Sequence, residues 1–281
     1  MLLLGKPVAD KIYKKVRKRL ETNNDNKIMI IQVGDNPASN TYIRNKMKKM
    51  NELGIEAVLK KYGPKETHAA ILLDLVETLE DNTFTGVFLQ LPAGSPSLEE
   101  AIEKVIIFEG ADIDGLKEEN AGILYNMTSS QDLDYMLVPC TARGIIQMLE
   151  FYNIPIEGKT VGIIGRSNLV GKPLIHMLLS KNATVVSMNS KTENIKSLSR
   201  NCDILISAVG KPGFITKEFV NKNMTVIDVG INFVDGHMCG DVDFDEVEPL
   251  VKNISPVPRG VGPLTVANLM LNITNTWKGE D

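Results

Sequence analysis

Short apolar, β-branched runs recur along the chain at 27–34 (KIMIIQVG), 86–91 (GVFLQL), 160–165 (TVGIIG), 183–188 (ATVVSM), 203–210 (DILISAVG) and 225–230 (TVIDVG). Between them, apolar residues return at helical spacing over 38–53, 67–80, 97–107, 143–152, 171–181 and 192–200. Short strands that are apolar on both faces, separated by helices, predict parallel sheets covered on both sides. Right-handed crossovers then give a doubly wound α/β architecture. A helix over 11–20 (KIYKKVRKRL) turns Ile12, Val16 and Leu20 inward and its basic residues to solvent. The stretch 36–50 (NPASNTYIRNKMKKM) predicts a Pro37 turn, a Ser39 cap and a helix, and Thr141 is placed to cap the helix that follows Pro139. Asp235-Gly236, between two alternating segments, predicts a hairpin within 231–244.

The pattern divides near residue 140, where 128–144 (TSSQDLDYMLVPCTARG) turns from polar to extended and then enters a helix. We expect an N-terminal α/β domain over 1–139 and a Rossmann-like doubly wound parallel sheet over 140–263, with the closing helix, 264–281, joining the first domain.

Composition narrows the class. Apolar residues make up 43% and charged residues 23%, and the net charge of −4 gives no general attraction to nucleic acid or anionic lipid. Cys140, Cys202 and Cys239 are too far apart for zinc spacing or a disulfide framework, so we expect no metal and a reducing compartment. The opening MLLLGKP is too short for a signal-peptide core, and no apolar run approaches membrane-spanning length. We expect a cytoplasmic protein without membrane or nucleic-acid partners.

Candidate chemistry lies in both halves. In VGIIGRSNLVGKP, Gly165 ends a strand and Gly171 enters a helix, with Arg166 and Ser167 filling the turn. Such a turn lets backbone N–H groups and the positive helix end meet a pyrophosphate, although tight strand–helix packing would use the same glycines. A chain that binds the unphosphorylated dinucleotide tends to place an acid about twenty residues further on to hold the ribose 2′-hydroxyl. Here Ser190 and Lys191 stand at that place, which with Arg166 favours NADP over NAD, unless Lys191 is simply solvated. Val209 and Gly210 (AVGKPGFI), and Gly230 and Ile231 (DVGIN), mark two more turns at strand ends. In the first half Tyr42 and Lys46 are four apart and share a helix face; alone, they read as ordinary surface residues.

Taken in order, VGDNPASNTYIRNK, FLQLP, DIDG, PCTARG, GRSNLVGKP, AVGKPGFI, VIDVGIN, GDVDF and PVPRGVGPLTVANLM strongly resemble the methylenetetrahydrofolate dehydrogenase/cyclohydrolase family over nearly the whole chain. The resemblance implies NADP-dependent oxidation of 5,10-methylenetetrahydrofolate to 5,10-methenyltetrahydrofolate, and hydrolysis of that product to 10-formyltetrahydrofolate. It implies a homodimer in cytoplasmic one-carbon metabolism, serving purine biosynthesis, with the two domains facing each other across a cleft. Tyr42 would stack on the folate, Lys46 would transfer protons in the cyclohydrolase step, Gln90 would bond the lysine amine, and Asp114 would hold the pterin. The loop 256–265, with Gly262, Pro263 and Thr265, would bring backbone close to both ligands. Two departures stand out: Arg259 replaces one of two adjacent family glycines, and LPAGSPS follows Gln90 in place of a repeated Leu-Pro. The joint presence of Tyr42, Lys46 and Gln90 argues against a dehydrogenase-only relative, and a non-catalytic dinucleotide sensor would give Lys46 no role.

Overall fold

The computed structural model describes residues 1–22, 25–63, 65–80, 83–108, 112–128 and 132–276 of the chain. It divides into two compact units, one comprising Lys14–Lys117 and Leu269–Asp281, the other Met1–Tyr13 and Glu118–Asn268. The first helix, α1 (Gly5–Leu20), buries Val8, Ile12 and Val16.

In the smaller unit the chain alternates β1 (Lys27–Val33), α2 (Pro37–Glu52), β2 (Glu56–Tyr62), α3 (His68–Leu79), β3 (Gly86–Leu89) and α4 (Pro96–Phe108). The three strands are parallel in the order β2-β1-β3. β1 is central, and Met29 and Ile31 pack with Ile71, Leu75, Leu98 and Ile102 from the covering helices.

The larger unit begins with α5 (Glu118–Tyr125) and α6 (Cys140–Phe151), followed by β4 (Thr160–Ile164), α7 (Gly171–Ser180), β5 (Thr184–Met188), α8 (Ile195–Arg200), β6 (Ile204–Ser207) and β7 (Thr225–Asp228). Then come the hairpin β8 (Asn232–Val234) and β9 (His237–Cys239), α9 (Phe244–Val247), β10 (Asn253–Ile254) and α10 (Gly262–Ile273). Five strands are parallel in the order β10-β7-β6-β4-β5. The strand order reverses on the two sides of β4, so the switch point lies between β4 and β6, where open α/β sheets bind ligands.

The expected parallel α/β architecture is therefore present, and the hairpin turns at Asp235 (φ +50°) and Gly236 (φ +79°) as its sequence requires. Residues 118–139 and 1–13 group with the larger sheet. The reasons are local. Fully buried Arg143 on α6 donates to the carbonyls of Leu133 (3.1 Å) and Met136 (3.0 Å), and Leu3 N–H donates to Ile254 O (2.8 Å).

Both expected caps differ. Asn36 Oδ1, not Ser39, accepts at the head of α2, taking the Ser39 N–H at 3.2 Å, while Ser39 is itself buried. Pro139, not Thr141, occupies the N-cap of α6, so Thr141 lies inside the helix, its hydroxyl 3.0 Å from that of Thr265. Residues 277–281, the expected end of the closing helix, lie outside the described residues. Among the described residues, no helix is long and apolar enough to cross a membrane.

Candidate active site

In the smaller unit the site is assembled at the carboxyl edge of the sheet. The chain leaves β1, turns at Gly34 (φ +79°) and enters α2, whose first turn is tied back by Asn40 to Gln32 (2.7 Å) and Asp35 (2.9 Å). Ile43 and Met50 form the buried stripe of α2, and Tyr42 and Lys46 are half-buried one turn apart. Burial raises the Tyr42 hydroxyl above its ordinary pKa, so it remains a neutral phenol at physiological pH.

Gln90 stands one residue beyond β3, and its N–H donates to Ile31 O (2.9 Å), extending the ladder by one step. Its Nε2 donates to Leu91 O (2.9 Å), which leaves Oε1 to accept from Lys46 Nζ at 3.0 Å. The same ammonium lies 4.2 Å from the centroid of the buried Phe88 ring, whose negative face attracts a cation by about 0.5–2 kcal/mol.

A parallel bridge from Val87 to Asp112 lays the DIDG segment along β3. Buried Asp112 accepts the N–H groups of Asp114 (3.0 Å), Gly115 (3.0 Å) and Lys117 (2.7 Å), closing an Asx turn. Because Asp112 makes that turn, the Asp114 carboxyl is not consumed by it. Burial, opposed by the Lys46 charge and assisted by Asp112 and Glu103, pushes the Asp114 carboxyl up to about 6. The structure thus brings Lys46 and Gln90 into contact and sets Asp114 within their electrostatic reach. Phe88 and Asp112 were missed from sequence; only the spacing of two acids in DIDG hinted at the latter.

In the larger unit every dinucleotide candidate lies at the carboxyl edge of the sheet. Gly165 (φ +121°) ends β4, and a Cβ there would strike the carbonyl of Ala208. Gly171 opens α7, and a Cβ there would strike Gly165 O. Two backbones thus approach where only glycines fit, bringing the helix N-terminus against the strand end. Arg166 and Ser167 are exposed between them; Ser167 Oγ accepts the Val170 N–H at 3.2 Å. Ser190 and Lys191 are exposed just past β5, and the Asn189 side chain accepts the Lys191 N–H (3.0 Å). No acid stands where a 2′-hydroxyl would be held, so this edge fits a dinucleotide bearing a 2′-phosphate.

Gly210 (φ +64°) is exposed, and a Cβ there would meet nothing within 4 Å. Val209 is half-buried and Ile231 is exposed, whereas a Cβ on buried Gly230 would strike the Asp241 carboxylate. Asp228 and Asp241, both buried, are polar residues of this edge that the sequence did not mark. Burial, partly offset by backbone N–H donors and reinforced by the Asp241 charge, pushes the Asp228 carboxyl up to about 7.

The 255–265 loop is pinned within its own unit. Asp228 N–H donates to Ser255 Oγ (2.8 Å) and Gly5 N–H to Arg259 O (2.8 Å). A Cβ on Gly260 would strike Pro256 O. Gly262 and Pro263 open α10, with Thr265 on its first turn. Arg259 is exposed in the left-handed region (φ +82°), a conformation that disfavours any residue with a Cβ. Arg259→Gly is expected to stabilise the protein by on the order of 1 kcal/mol, read as a higher Tm. An unchanged or lower Tm would show that the arginine side chain compensates.

A doubly wound sheet with a glycine-lined, helix-capped carboxyl edge defines the chain as a nicotinamide-dinucleotide enzyme, with a second α/β unit carrying a lysine centre. Comparison with known proteins agrees in both parts. Residues 139–281 match the family described as tetrahydrofolate dehydrogenase/cyclohydrolase, NAD(P)-binding domain, and residues 3–114 match its catalytic domain. Bifunctional protein FolD of Acholeplasma laidlawii is 39% identical over 97% of this chain and 96% of its own. The crystal structure of the bifunctional FolD enzyme of Campylobacter jejuni is similar with a TM-score of 0.86, at 35% identity over 98% of each chain. The Trypanosoma brucei methylenetetrahydrofolate dehydrogenase-cyclohydrolase, solved with NADP and an inhibitor, gives 0.85 at 28% identity over 98% of this chain and 96% of that one. The chain belongs to the tetrahydrofolate dehydrogenase/cyclohydrolase family. It is a bifunctional methylenetetrahydrofolate dehydrogenase and methenyltetrahydrofolate cyclohydrolase of folate one-carbon metabolism.

Proposed function

We propose that Lys46 is the proton-transfer residue of the hydrolytic step, that Gln90 orients it, and that Asp114 and Tyr42 hold the folate. The observation that carries this reading is the 3.0 Å bond from Lys46 Nζ to Gln90 Oε1, beside Phe88 and Asp114. Opening the methenyl ring requires water to add to the cationic bridging carbon and both protons to leave its oxygen, one reaching N5 as the carbon–N5 bond breaks and the other passing to solvent. A single amine serves both transfers: it takes the proton as base and returns it as acid. Phe88 and Asp114 support the ammonium half of that cycle, while neutral Gln90 holds the group without fixing its charge. The ionised Asp114 carboxylate suits the adjacent N–H groups of a pterin, since two parallel charge-assisted bonds set ring orientation. Tyr42 supplies a flat face for stacking.

The dehydrogenase step asks for alignment more than for acid–base chemistry. When bound, the dinucleotide accepts the hydride that leaves the methylene carbon. The residues that would hold it are the Gly165–Gly171 turn, the Val209–Gly210 and Gly230–Ile231 turns, and Arg166, Ser190 and Lys191 at a 2′-phosphate. The Trypanosoma brucei relative, described with NADP, supports NADP over NAD here. Gly262, Pro263 and Thr265 would lie against the ligands from the start of α10. We assign the enzyme to the cytoplasm as a homodimer, its 10-formyl product feeding purine synthesis.

Arg166→Ala and Lys191→Ala are each expected to raise KM for NADP by about tenfold while moving KM for NAD about twofold or less, since each removes one cation from the extra phosphate. Steady-state rates with both cofactors test this. An equal effect on the two would remove these residues from the 2′-phosphate site.

A further inference from the structure

The turns that follow β6 and β7 converge on one buried carboxylate that has no role in the chemistry above. Asp241, fully buried, follows the hairpin β8–β9 and points back under the strand ends. Its Oδ2 accepts the Val209 N–H (2.7 Å) and the Ser207 hydroxyl (3.1 Å). Its Oδ1 accepts the Lys211 N–H (2.9 Å) and the Asn232 amide (3.2 Å). Val209 and Lys211 flank Gly210, so the carboxylate grips both shoulders of the turn whose crest is open. Asn232 ties the Gly230–Ile231 turn to the same group, and Gly230 lacks the Cβ that would collide with it.

Asp241 is held in its turn. Asp228 at the end of β7, 2% exposed, accepts the Asp241 N–H (2.9 Å) on Oδ1 and the Val242 N–H (3.0 Å) on Oδ2. A Cβ on Gly240 would strike that carboxylate. The result is a two-carboxylate relay in which one side chain fixes the backbone that carries the other. Burying two carboxylates side by side is unfavourable unless each is saturated with donors, and seven donors are spent on them here. A hydrophobic plug would cover the sheet edge at lower cost, but it could not set the heights of two separate loops.

We propose that Asp241 is the positioning residue of the dinucleotide site: its carboxylate sets the Val209–Lys211 and Gly230–Asn232 turns in the shape that receives NADP. It touches neither ligand and acts through those backbones. The inference rests on the assignment of these turns to the cofactor.

Asp241→Asn keeps the size of the side chain but replaces one acceptor oxygen by an NH2 group, which then faces two donors. KM for NADP is expected to rise about tenfold with kcat within about threefold, because the loops lose shape while the reacting groups are untouched. Hydrolysis of supplied methenyltetrahydrofolate, followed without dinucleotide, should stay within about twofold of wild type. The stabilisation of the protein by NADP, read as a Tm shift at fixed concentration, should shrink with it. An unchanged KM for NADP overturns the proposal, as does a common fall of kcat and of hydrolysis, which would make Asp241 a general fold determinant. Should Asp241→Asn fail to fold, half-buried Asn232→Ala decides: a rise of about threefold in KM for NADP supports the proposal, and no change overturns it. If the wild-type enzyme itself does not reduce NADP, the cofactor assignment fails first; if it does and both variants match it, only the positioning role is lost.

Discussion

Lys46→Met is expected to reduce hydrolysis of methenyltetrahydrofolate by about 10² to 10⁴-fold, the usual contribution of a positioned general acid–base group. Methionine preserves length and can still lie against Phe88, so the variant removes the proton carrier with little loss of packing. The dehydrogenase rate should fall far less, because hydride leaves the methylene carbon without a proton moving. Gln90→Ala should follow the same direction with a smaller loss, since the amine keeps its place on α2 but loses the acceptor at 3.0 Å. Parallel loss of both activities in a folded Lys46→Met protein would contradict a dedicated proton-transfer role and assign Lys46 to substrate binding.

Asp114→Asn is expected to weaken folate binding and at the same time to stabilise the ligand-free protein. Burial, the largest cause, pushes the carboxyl up to about 6 from an ordinary value of 3.8. With the folded value raised, the folded state holds its proton to higher pH than the unfolded chain does. Stability from this group is therefore greatest in acid and is lost as pH rises from about 4 to about 6. Above that window wild type bears the full cost of a buried charge, on the order of 1–3 kcal/mol, and the neutral amide does not. The Tm advantage of Asp114→Asn should be largest at pH 7.5 and fade towards pH 4. The activity of wild type should show the opposite face of the same titration, with KM for folate rising below about pH 6 as the acceptor is protonated. A variant no more stable than wild type at pH 7.5 would mean that Lys46 already compensates the charge.

These two residues illustrate what can be read from a sequence. The core strands were legible because β4, β6 and β7 are buried over nearly their whole length, so each appears as an uninterrupted apolar run. β2 was not, because it is an edge strand whose Lys60 and Lys61 remain partly in solvent and only Tyr62 is buried. β10 has two residues, too few for any period. The pairing of Lys46 with Gln90, 44 residues apart, could be reached through the order of motifs but not through periodicity. Asp112, Asp228 and Asp241 were illegible for a different reason. Their partners are chiefly backbone N–H groups, which carry no residue identity, and only the folded chain shows which amides converge on them. Asx and cap positions failed for the same cause: Asn36 and Ser39 are both competent, and the exit path from β1 chose between them.

The claim on which the rest depends is that oxidation and hydrolysis are separable, with Lys46 needed only for the second. Mixing Lys46→Met enzyme with methylenetetrahydrofolate and NADP, and recording reduced cofactor and methenyl product together, tests it directly. Methenyltetrahydrofolate should accumulate in step with NADPH, with 10-formyltetrahydrofolate appearing no faster than in buffer. Formation of the 10-formyl product at the wild-type rate, or absence of both NADPH and methenyl product from a folded protein that still binds NADP, would contradict the account.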